Sequence, residues 1–400
     1  MRKLLAWVGA GFSAGLVVAC SGGNNKDNDL LFETKDDHIL LSDYAPSMAG
    51  AAGSTGAGGD TSAAGASGAG TGGSSSDGGA SGGANDHAAE KADTTLVWKS
   101  TGCGKELPID QVIAIPGSRE GYTKYTVMET GETISGTDPT RAVPRDIYVR
   151  VPADYDPNRA YRVVYIGQGC GGGSGDQSTY PLFDESKGGD EQAIYVGISL
   201  PPPEFNGACY DNRAGEASLE WEAFQVFHTL VESTYCADNN RIYVSGYSTG
   251  GWLANMWGCY FGGYPSAAPR KFAPDWHIRG QVGTTGCQPD NIGQLCADPD
   301  HKVAALWLHD VNDPANPYAC NHEVSLPRVF ADNGCTGTLD TAPTEPWGEG
   351  TLAQICLRYT SCPARYPVVF CTTQGQGHSD QPANAIPAFT QFFHLVDSAP

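Results

Sequence analysis

From Leu96 onward, strand-length apolar runs alternate with segments of helical periodicity, and this alternation limits the fold more than any other feature. The pattern predicts strands over 146–151, 161–167, 193–200, 241–245, 302–309 and 366–371, and helices over 219–232, 249–260 and 386–395. Strands that alternate with helices form a mostly parallel sheet that is covered by helices on both faces. We therefore predict an α/β fold with a functional site at the carboxyl ends of the strands.

The N-terminus has the features of an export signal. Arg2 and Lys3 precede an apolar run from Leu4 to Val18, which is too short and too rich in small residues for a good membrane span. The run ends in Val-Val-Ala-Cys, which resembles the lipobox of bacterial lipoproteins and predicts lipidation of Cys20. We predict a lipoprotein signal peptide over 1–19, with an ordinary signal peptide as the alternative. The expected location is the bacterial cell envelope, by a lipid anchor, or the medium if the protein is secreted.

The next segment, 20–94, lacks the side chains that build a core. Its second half consists almost entirely of Ala, Gly, Ser and Thr. Such a composition cannot bury enough apolar area to offset the entropy of ordering the chain. We predict a disordered tether over 20–94 and one catalytic domain over 95–400.

The formal net charge of −21 limits the partners. An acidic surface repels nucleic acid and anionic lipid, so we expect neither as a partner. Contact with a membrane is expected only through the lipid anchor, and we expect the protein to be a monomer.

The chain has 13 cysteines, and removal of Cys20 leaves twelve, all between Cys103 and Cys371. An exported chain meets an oxidising compartment, so up to six disulfides are expected. A metal site is not expected, because no C-x-x-C pair exists and the histidines are not clustered with cysteines at ligand spacing. We expect no metal and no organic cofactor.

The segment Gly246-Tyr247-Ser248-Thr249-Gly250 fits the G-x-S-x-G pattern of a nucleophilic serine. The same pattern occurs by chance at residues 11–15 and 79–83, in the leader and in the tether. Only Ser248 follows a predicted strand and precedes a predicted helix. That context places the hydroxyl on a tight turn beside a helix N-terminus, which favours developing negative charge. We therefore predict Ser248 as the nucleophile.

A serine hydroxyl needs a base, and the base needs a carboxylate to orient it. In α/β-hydrolases the acid and then the histidine follow the serine along the chain. His378 lies between the strand predicted at 366–371 and the last helix, where this fold places its base. Asp313 and Asp310 both follow the strand predicted at 302–309. We favour Asp313 as the acid because Pro314 indicates a turn, and Asp310 is the alternative.

Two backbone N–H groups are needed to stabilise the oxyanion of an acyl-transfer intermediate. One is expected from Thr249, the residue after the nucleophile. The other is expected from the glycine-rich loop after the strand 161–167, at Cys170 or Gly169, because small residues allow the backbone to approach a substrate closely.

Several short segments, in order over about residues 99–395, resemble the esterase family that includes feruloyl esterases, acetylxylan esterases and polyhydroxybutyrate depolymerases. The segments are Gly102-Cys103-Gly104-Lys105, Gly169-Cys170-Gly171-Gly172, Cys236–Arg241 with Gly246–Gly251, His309 with Asp313, Asn333-Gly334-Cys335, Tyr366-Pro367-Val368 and Gly377-His378. The chain departs from the family pattern at Gln168, where many members have His, and at Asp310, which replaces the Gly of an H-G-x-x-D motif.

The resemblance implies an α/β-hydrolase that cleaves carboxylic esters through an acyl-enzyme without a cofactor. It also implies a disulfide between Cys335 and Cys362. The substrate implied is a feruloyl or acetyl ester of plant polysaccharide. Two alternatives stay open: a polyhydroxybutyrate depolymerase, and a surface-tethered binding protein on an inactive hydrolase fold.

Overall fold

A computed structural model describes residues 30–34, 37–40, 97–130, 142–172, 181–202, 209–211, 219–263, 276–287 and 302–399. The expected signal peptide 1–19, its lipidation site Cys20 and most of the expected tether lie outside the described residues, so these stay predictions.

One sheet of twelve strands forms the centre of the protein. The strands are β1 (Leu30–Thr34), β2 (Asp37–Leu40), β3 (Tyr122–Thr130), β4 (Ala142–Arg150), β5 (Tyr161–Gly167), β6 (Ala193–Ile198), β7 (Ala237–Tyr247), β8 (Ile278–Thr284), β9 (Ala304–Asp310), β10 (Thr344–Pro346), β11 (Cys356–Tyr359) and β12 (Val368–Thr373). Their spatial order is β10-β11-β12-β9-β8-β7-β5-β6-β4-β3-β1-β2.

The six central strands, β12-β9-β8-β7-β5-β6, are parallel to one another. Antiparallel pairs extend the sheet on both sides, with β4 against β6 at one side and β11 against β12 at the other. The prediction of an α/β-hydrolase fold with a mostly parallel sheet is therefore confirmed for the part of the sheet that carries the functional side chains.

Helices cover both faces of the sheet. They are α1 (Leu219–Thr234), α2 (Thr249–Phe261), α3 (Leu326–Asp332), α4 (Leu352–Ile355) and α5 (Pro382–Asp397), with a short 3₁₀ helix at Glu185–Lys187 and a π-helical turn at Cys320–Ser325. Alternate residues of β5 enter different cores: Val163 and Tyr165 pack in the cluster that contains α1 and α2, whereas Val164 and Ile166 pack in the cluster that contains α5. This period of two explains the continuous apolar run, because a strand buried on both faces needs apolar side chains at every position.

Strands β1 and β2 lie within the segment for which we predicted a disordered tether. They pair with each other, and β1 also pairs antiparallel with β3, from Leu30 opposite Glu129 to Glu33 opposite Thr126. The prediction did not include these two strands. Short apolar groups, Leu30-Leu31-Phe32 and Ile39-Leu40, interrupt the polar composition there, and an unpaired edge of β3 accepts such a segment through backbone hydrogen bonds.

Disulfides join distant parts of the domain, as the twelve cysteines predict. Five pairs lie in the described residues: Cys103–Cys236, Cys170–Cys209, Cys287–Cys320, Cys335–Cys362 and Cys356–Cys371. Cys259 is also disulfide-bonded. Cys335 and Cys362 are the two residues that the family resemblance implied as a pair. Within the described ranges, no helix combines the length and apolar character that a membrane crossing requires.

Candidate active site

Ser248 occupies a strained turn between the central strand β7 and helix α2. Its backbone angles are φ 54° and ψ −117°, a conformation that a non-glycine residue adopts only when the surrounding structure enforces it. The serine is therefore held at the carboxyl end of a buried strand, where its hydroxyl projects above the sheet edge.

The two glycines of the motif let backbone segments approach each other closely around this turn. A Cβ on Gly246 would lie 2.3 Å from the backbone of Gly250, and a Cβ on Gly250 would lie 2.3 Å from the backbone of Gly167 at the end of β5. Any side chain at either position would push the start of α2 away from the sheet. The pattern G-x-S-x-G is thus a packing requirement of the turn.

His378 lies against Ser248, although 130 residues separate them in the chain. Its Nε2 is 2.9 Å from the Oγ of Ser248, and its side chain is 22% exposed. The loop that carries His378 follows β12, which is parallel to β9 in the sheet. The hydroxyl of Tyr247 donates a hydrogen bond of 3.1 Å to the carbonyl oxygen of His378, and burial, Asp380 and Asp313 raise the pKa of Tyr247 to about 12, so this donor keeps its proton.

Asp313 completes the chain of contacts. Its carboxylate oxygens lie 2.9 and 3.0 Å from the Nδ1 of His378, and its side chain is fully buried. The backbone N–H groups of Ala315 and Asn316 donate to its Oδ1. A carboxylate only accepts, so Nδ1 of His378 carries the proton, and Nε2 is left to accept the proton of the Ser248 hydroxyl.

Asp310, the alternative acid, has different hydrogen-bond partners from Asp313. Its Oδ2 accepts hydrogen bonds from the Thr373 hydroxyl and the Gln376 N–H, and its Oδ1 accepts from the Asn312 N–H. Burial raises the pKa of this carboxyl, but the hydrogen bonds from Gln376, Asn312, Thr373 and Gly377 outweigh burial and lower it below the usual value. The Asp313 carboxylate thus contacts the imidazole of His378. The Asp310 carboxylate instead binds the backbone of the loop that carries His378.

The loop after β5 approaches the nucleophile from the other side. A Cβ on Gly169 would lie 2.9 Å from the ring of Tyr247 and 3.5 Å from the Cβ of Ser248, so only glycine allows this approach. Thr249 is the first residue of α2, where backbone N–H groups have no partner within the helix. Gly169 and Thr249 therefore lie on two sides of Ser248, with the exposed Cys170 next to Gly169. The N–H groups of Thr249 and of Gly169 or Cys170 therefore stay our prediction for the donors of the oxyanion hole.

The disulfide between Cys170 and Cys209 fixes this loop to a segment that is itself buried at Tyr210. The Tyr210 hydroxyl also lies 3.2 Å from the Gln168 N–H, which donates to it. Gln168 stands where many members of the resembled esterase family have His, and its side-chain amide donates to the carbonyl of Ile198 at 3.4 Å. The loop is therefore held in place by a hydrogen bond to Tyr210 and by the disulfide to Cys209.

We predict that the double variant Cys170→Ala/Cys209→Ala lowers kcat by about tenfold and leaves KM nearly unchanged. The expected loss is a fraction of the 10²–10³-fold that removal of an oxyanion donor causes, because the donors remain but are less well positioned. Steady-state kinetics on a p-nitrophenyl ester measure it. The matched control is Cys335→Ala/Cys362→Ala, which removes a disulfide that packs in a different hydrophobic cluster, with residues of α3, β9 and β12. Equal losses of kcat in both double variants would contradict a special role for Cys170–Cys209.

Sequence reasoning did not assign roles to Tyr247 and His309. Tyr247 holds the backbone of His378, and His309 lies 3.2 Å from Asp313. The signal for His309 was its place in the H-G-x-x-D segment. Tyr247 occupies a variable position of the G-x-S-x-G motif, so no pattern marked it. Among the described residues, no group of three or more His, Cys, Asp or Glu side chains is arranged to hold a metal ion.

Comparison with known proteins gives relatives among fungal enzymes. Probable feruloyl esterase C of Aspergillus terreus is 24% identical over 291 residues, which cover 72% of this chain and 87% of the relative. Feruloyl esterase C of Emericella nidulans is 25% identical over 246 residues, which cover 60% of this chain and 77% of the relative. The resemblance to feruloyl esterases that the short motifs indicated is confirmed over this length. No protein-family model matches the chain.

A comparison with solved structures finds a similarity to an acetyl xylan esterase from Aspergillus awamori. It is 14% identical, has a TM-score of 0.43, and covers 68% of this chain and 99% of its own.

Proposed function

We propose that this chain is an exported serine esterase, similar to the feruloyl esterases, which hydrolyses carboxylic esters of plant polysaccharide through an acyl-enzyme on Ser248. The observation that carries the proposal is the position of His378, within 2.9 Å of both the Ser248 hydroxyl and the Asp313 carboxylate. Three side chains distant in sequence meet in the hydrogen-bond order that nucleophilic catalysis requires.

The geometry supports a two-step reaction. In the first step, Ser248 Oγ bonds to the ester carbonyl carbon while His378 Nε2 takes its proton, and the carbonyl oxygen becomes an oxyanion beside the N–H groups of Thr249 and of Gly169 or Cys170. His378 then protonates the leaving alcohol as its C–O bond breaks. In the second step, His378 takes a proton from water as the water oxygen bonds to the acyl carbon. The bond between the acyl carbon and Ser248 Oγ then breaks, His378 returns the proton to Oγ, and the carboxylic acid leaves. No cofactor takes part in this scheme.

The relatives support the choice of ester. Both relatives described above are named feruloyl esterase C, one of them as a probable one, and the sequence similarity to each extends over more than half of this chain. On this basis we propose a feruloyl ester on plant polysaccharide as the preferred substrate, with acetyl esters next. A monomer is sufficient for this reaction, because Ser248, Asp313 and His378 come from one chain.

Export agrees with the disulfides, because such bonds persist in oxidising compartments. We further propose that Cys20 carries a lipid that attaches the protein to the bacterial cell envelope. The lipobox-like sequence at the end of the apolar leader supports this.

A panel of esters tests the proposed substrate. We expect the purified enzyme to hydrolyse methyl ferulate with a kcat/KM at least about tenfold higher than that for hydroxybutyrate oligomers, which corresponds to a modest difference of 1.4 kcal/mol in transition-state binding. Product release measured by chromatography on methyl ferulate, acetylated xylan and hydroxybutyrate trimer gives the ranking. Activity on the trimer without activity on methyl ferulate would identify a polyhydroxybutyrate depolymerase instead. Absence of hydrolysis on the whole panel would favour a binding protein on an inactive hydrolase fold.

A further inference from the structure

A second histidine, His309, also contacts the candidate triad acid, Asp313. Its side chain is fully buried at the end of β9, and its Nε2 is 3.2 Å from the Oδ2 of Asp313 and 2.9 Å from the carbonyl oxygen of Asn316. The Asp313 carboxylate therefore contacts two imidazoles, one that also contacts Ser248 and one that is fully buried.

The partners of His309 determine which of its nitrogens carries the proton. Nε2 faces a carboxylate and a carbonyl, which only accept, so Nε2 must donate. Nδ1 is 3.0 Å from Nδ2 of Asn321, which also donates to the carbonyl of Gly286, so Nδ1 accepts. Burial lowers the pKa of His309, which keeps the ring neutral. His309 is thus a neutral imidazole with its one N–H directed at Asp313 and Asn316.

The polar contacts continue from His309 back to the helix of the nucleophile. The side chain of Asn255, on α2, lies 3.5 Å from Oδ1 of Asn321 and accepts hydrogen bonds from Trp307 and Gln281. All of these side chains are buried. A buried network with fixed donors and acceptors holds its members in one arrangement, because any rotation leaves a polar group unpaired.

We propose that His309 is a positioning residue for catalysis, and that its Nε2–H, fixed by Asn321, holds the Asp313 carboxylate in the orientation that aligns His378. The inference rests on the proposed function, because it assigns His309 a role in the same ester hydrolysis. Without this contact, Oδ2 of Asp313 keeps only Nδ1 of His378 as a partner, and the protein holds the carboxylate only through the two N–H groups that donate to Oδ1. Misalignment of His378 slows proton transfer but leaves the surface that binds the substrate unchanged.

Two substitutions that differ in the position of one N–H group test the proposal. His309→Asn keeps a polar group where Nδ1 is, but has no donor near Asp313. His309→Gln places its amide nitrogen where Nε2 is, and so retains the donor. We expect His309→Asn to lower kcat by about 30-fold with KM nearly unchanged, the rate equivalent of one lost hydrogen bond to a charged group. We expect His309→Gln to restore most of this loss.

His228 supplies the matched control. It is equally buried and its Nδ1 is bonded to the hydroxyl of Tyr165, but it lies in the cluster that contains α1, away from the triad. His228→Asn should lower the thermal unfolding temperature without lowering kcat. If His309→Asn does not fold, Asn321→Leu serves in its place, with an expected severalfold lower kcat at unchanged KM, because Nδ1 of His309 then loses its donor and the ring is held less firmly against Asp313.

The outcomes separate this inference from the proposed function. Wild-type kcat in the folded His309→Asn variant, or equal losses in the Asn and Gln variants, would overturn the positioning role while Ser248→Ala remains inactive. Activity that survives in Ser248→Ala would overturn the proposed function itself.

Discussion

Replacement of Ser248 by alanine should lower kcat for ester hydrolysis by about 10⁶-fold, which is the loss that removal of the nucleophile causes in a triad enzyme. The variant keeps His378, Asp313 and the proposed oxyanion donors, but no atom remains that can form the acyl-enzyme. Alanine is smaller than serine, and the Ser248 hydroxyl contacts only Nε2 of His378 among the hydrogen bonds of the described residues. We therefore expect the fold to be unchanged, with a circular dichroism spectrum identical to that of the wild type.

Ser245→Ala is the matched control. Ser245 lies on β7, three residues before Ser248, is buried, and donates a 3.0 Å hydrogen bond to the carbonyl of Tyr165. Its loss should cost about 1 kcal/mol of stability, the usual value for one hydrogen bond, while kcat stays within a factor of two of wild type. A Ser248→Ala enzyme with a kcat within tenfold of wild type would mean that another group performs the chemistry.

Asp313→Asn should lower kcat by about 10⁴-fold, the loss expected when the orienting carboxylate of a triad becomes an amide. The amide is isosteric, but the N–H groups of Ala315 and Asn316 require an acceptor at the Oδ1 position. The amide nitrogen is then directed at His378 and His309, where Asp313 now accepts. Nδ1 of His378 must then accept a hydrogen bond from the amide, so the imidazole carries its proton on Nε2. Protonated Nε2 can no longer accept the proton of Ser248.

Asp310→Asn is the same chemical change three residues earlier, and it should have a different effect. Asp310 holds the backbone of the loop that carries His378 but does not touch its imidazole. We expect less than about a tenfold loss of kcat and a loss of about 2 kcal/mol in the free energy of unfolding, typical for hydrogen bonds to a charged group. A larger loss of kcat in Asp310→Asn than in Asp313→Asn would show that the two roles are reversed.

The stability loss should also depend on pH, with a sign set by the lowered pKa of Asp310. A carboxyl whose pKa is lower in the folded state than its ordinary value of 3.8 stabilises the fold above that value. This contribution disappears as the pH falls through the lower, folded-state pKa. The difference in stability between wild type and Asp310→Asn should therefore be greatest near neutral pH and shrink below pH about 4.

The periodicity of the sequence was sufficient to predict the elements that carry the site. The strand at 161–167 and the starts of the helices at Leu219 and Thr249 agree with the structure. These segments are buried on both faces or amphipathic, so their apolar residues follow the period of the element.

Strand β8 was missed, because its sequence Ile-Arg-Gly-Gln-Val-Gly-Thr has no apolar pattern. Its polar residues have tertiary partners that no local pattern shows. The Gln281 amide donates to Asn255, and the Arg279 guanidinium donates to the carbonyl of Val396. Gly280 leaves room for the ring of Tyr243, which would lie 2.9 Å from a Cβ at that position. Strand β3 was missed for a related reason, since the polar residue Thr123 is buried and the apolar residues of the strand do not alternate with polar ones.

The chain order of serine, acid and histidine allowed the candidate triad to be chosen from sequence, but two carboxylates three residues apart could not be separated. The choice depends on a turn: the backbone N–H groups of Ala315 and Asn316 hold Asp313 toward His378, whereas Asp310 accepts from the Gln376 N–H. The direction in which each carboxylate points is set by the fold of its loop and not by the local sequence. For the same reason, the contact between His309 and Asp313 became visible only with coordinates.

Covalent labelling tests the central claim most directly. A fluorophosphonate reacts only with a serine whose proton is removed by an aligned base and whose adduct oxygen is stabilised by nearby donors. The account predicts one phosphonyl group per folded, oxidised protein, located by peptide mass spectrometry on Ser248, and none in Ser248→Ala. A folded protein that stays unlabelled, or a label on a different residue, would contradict it.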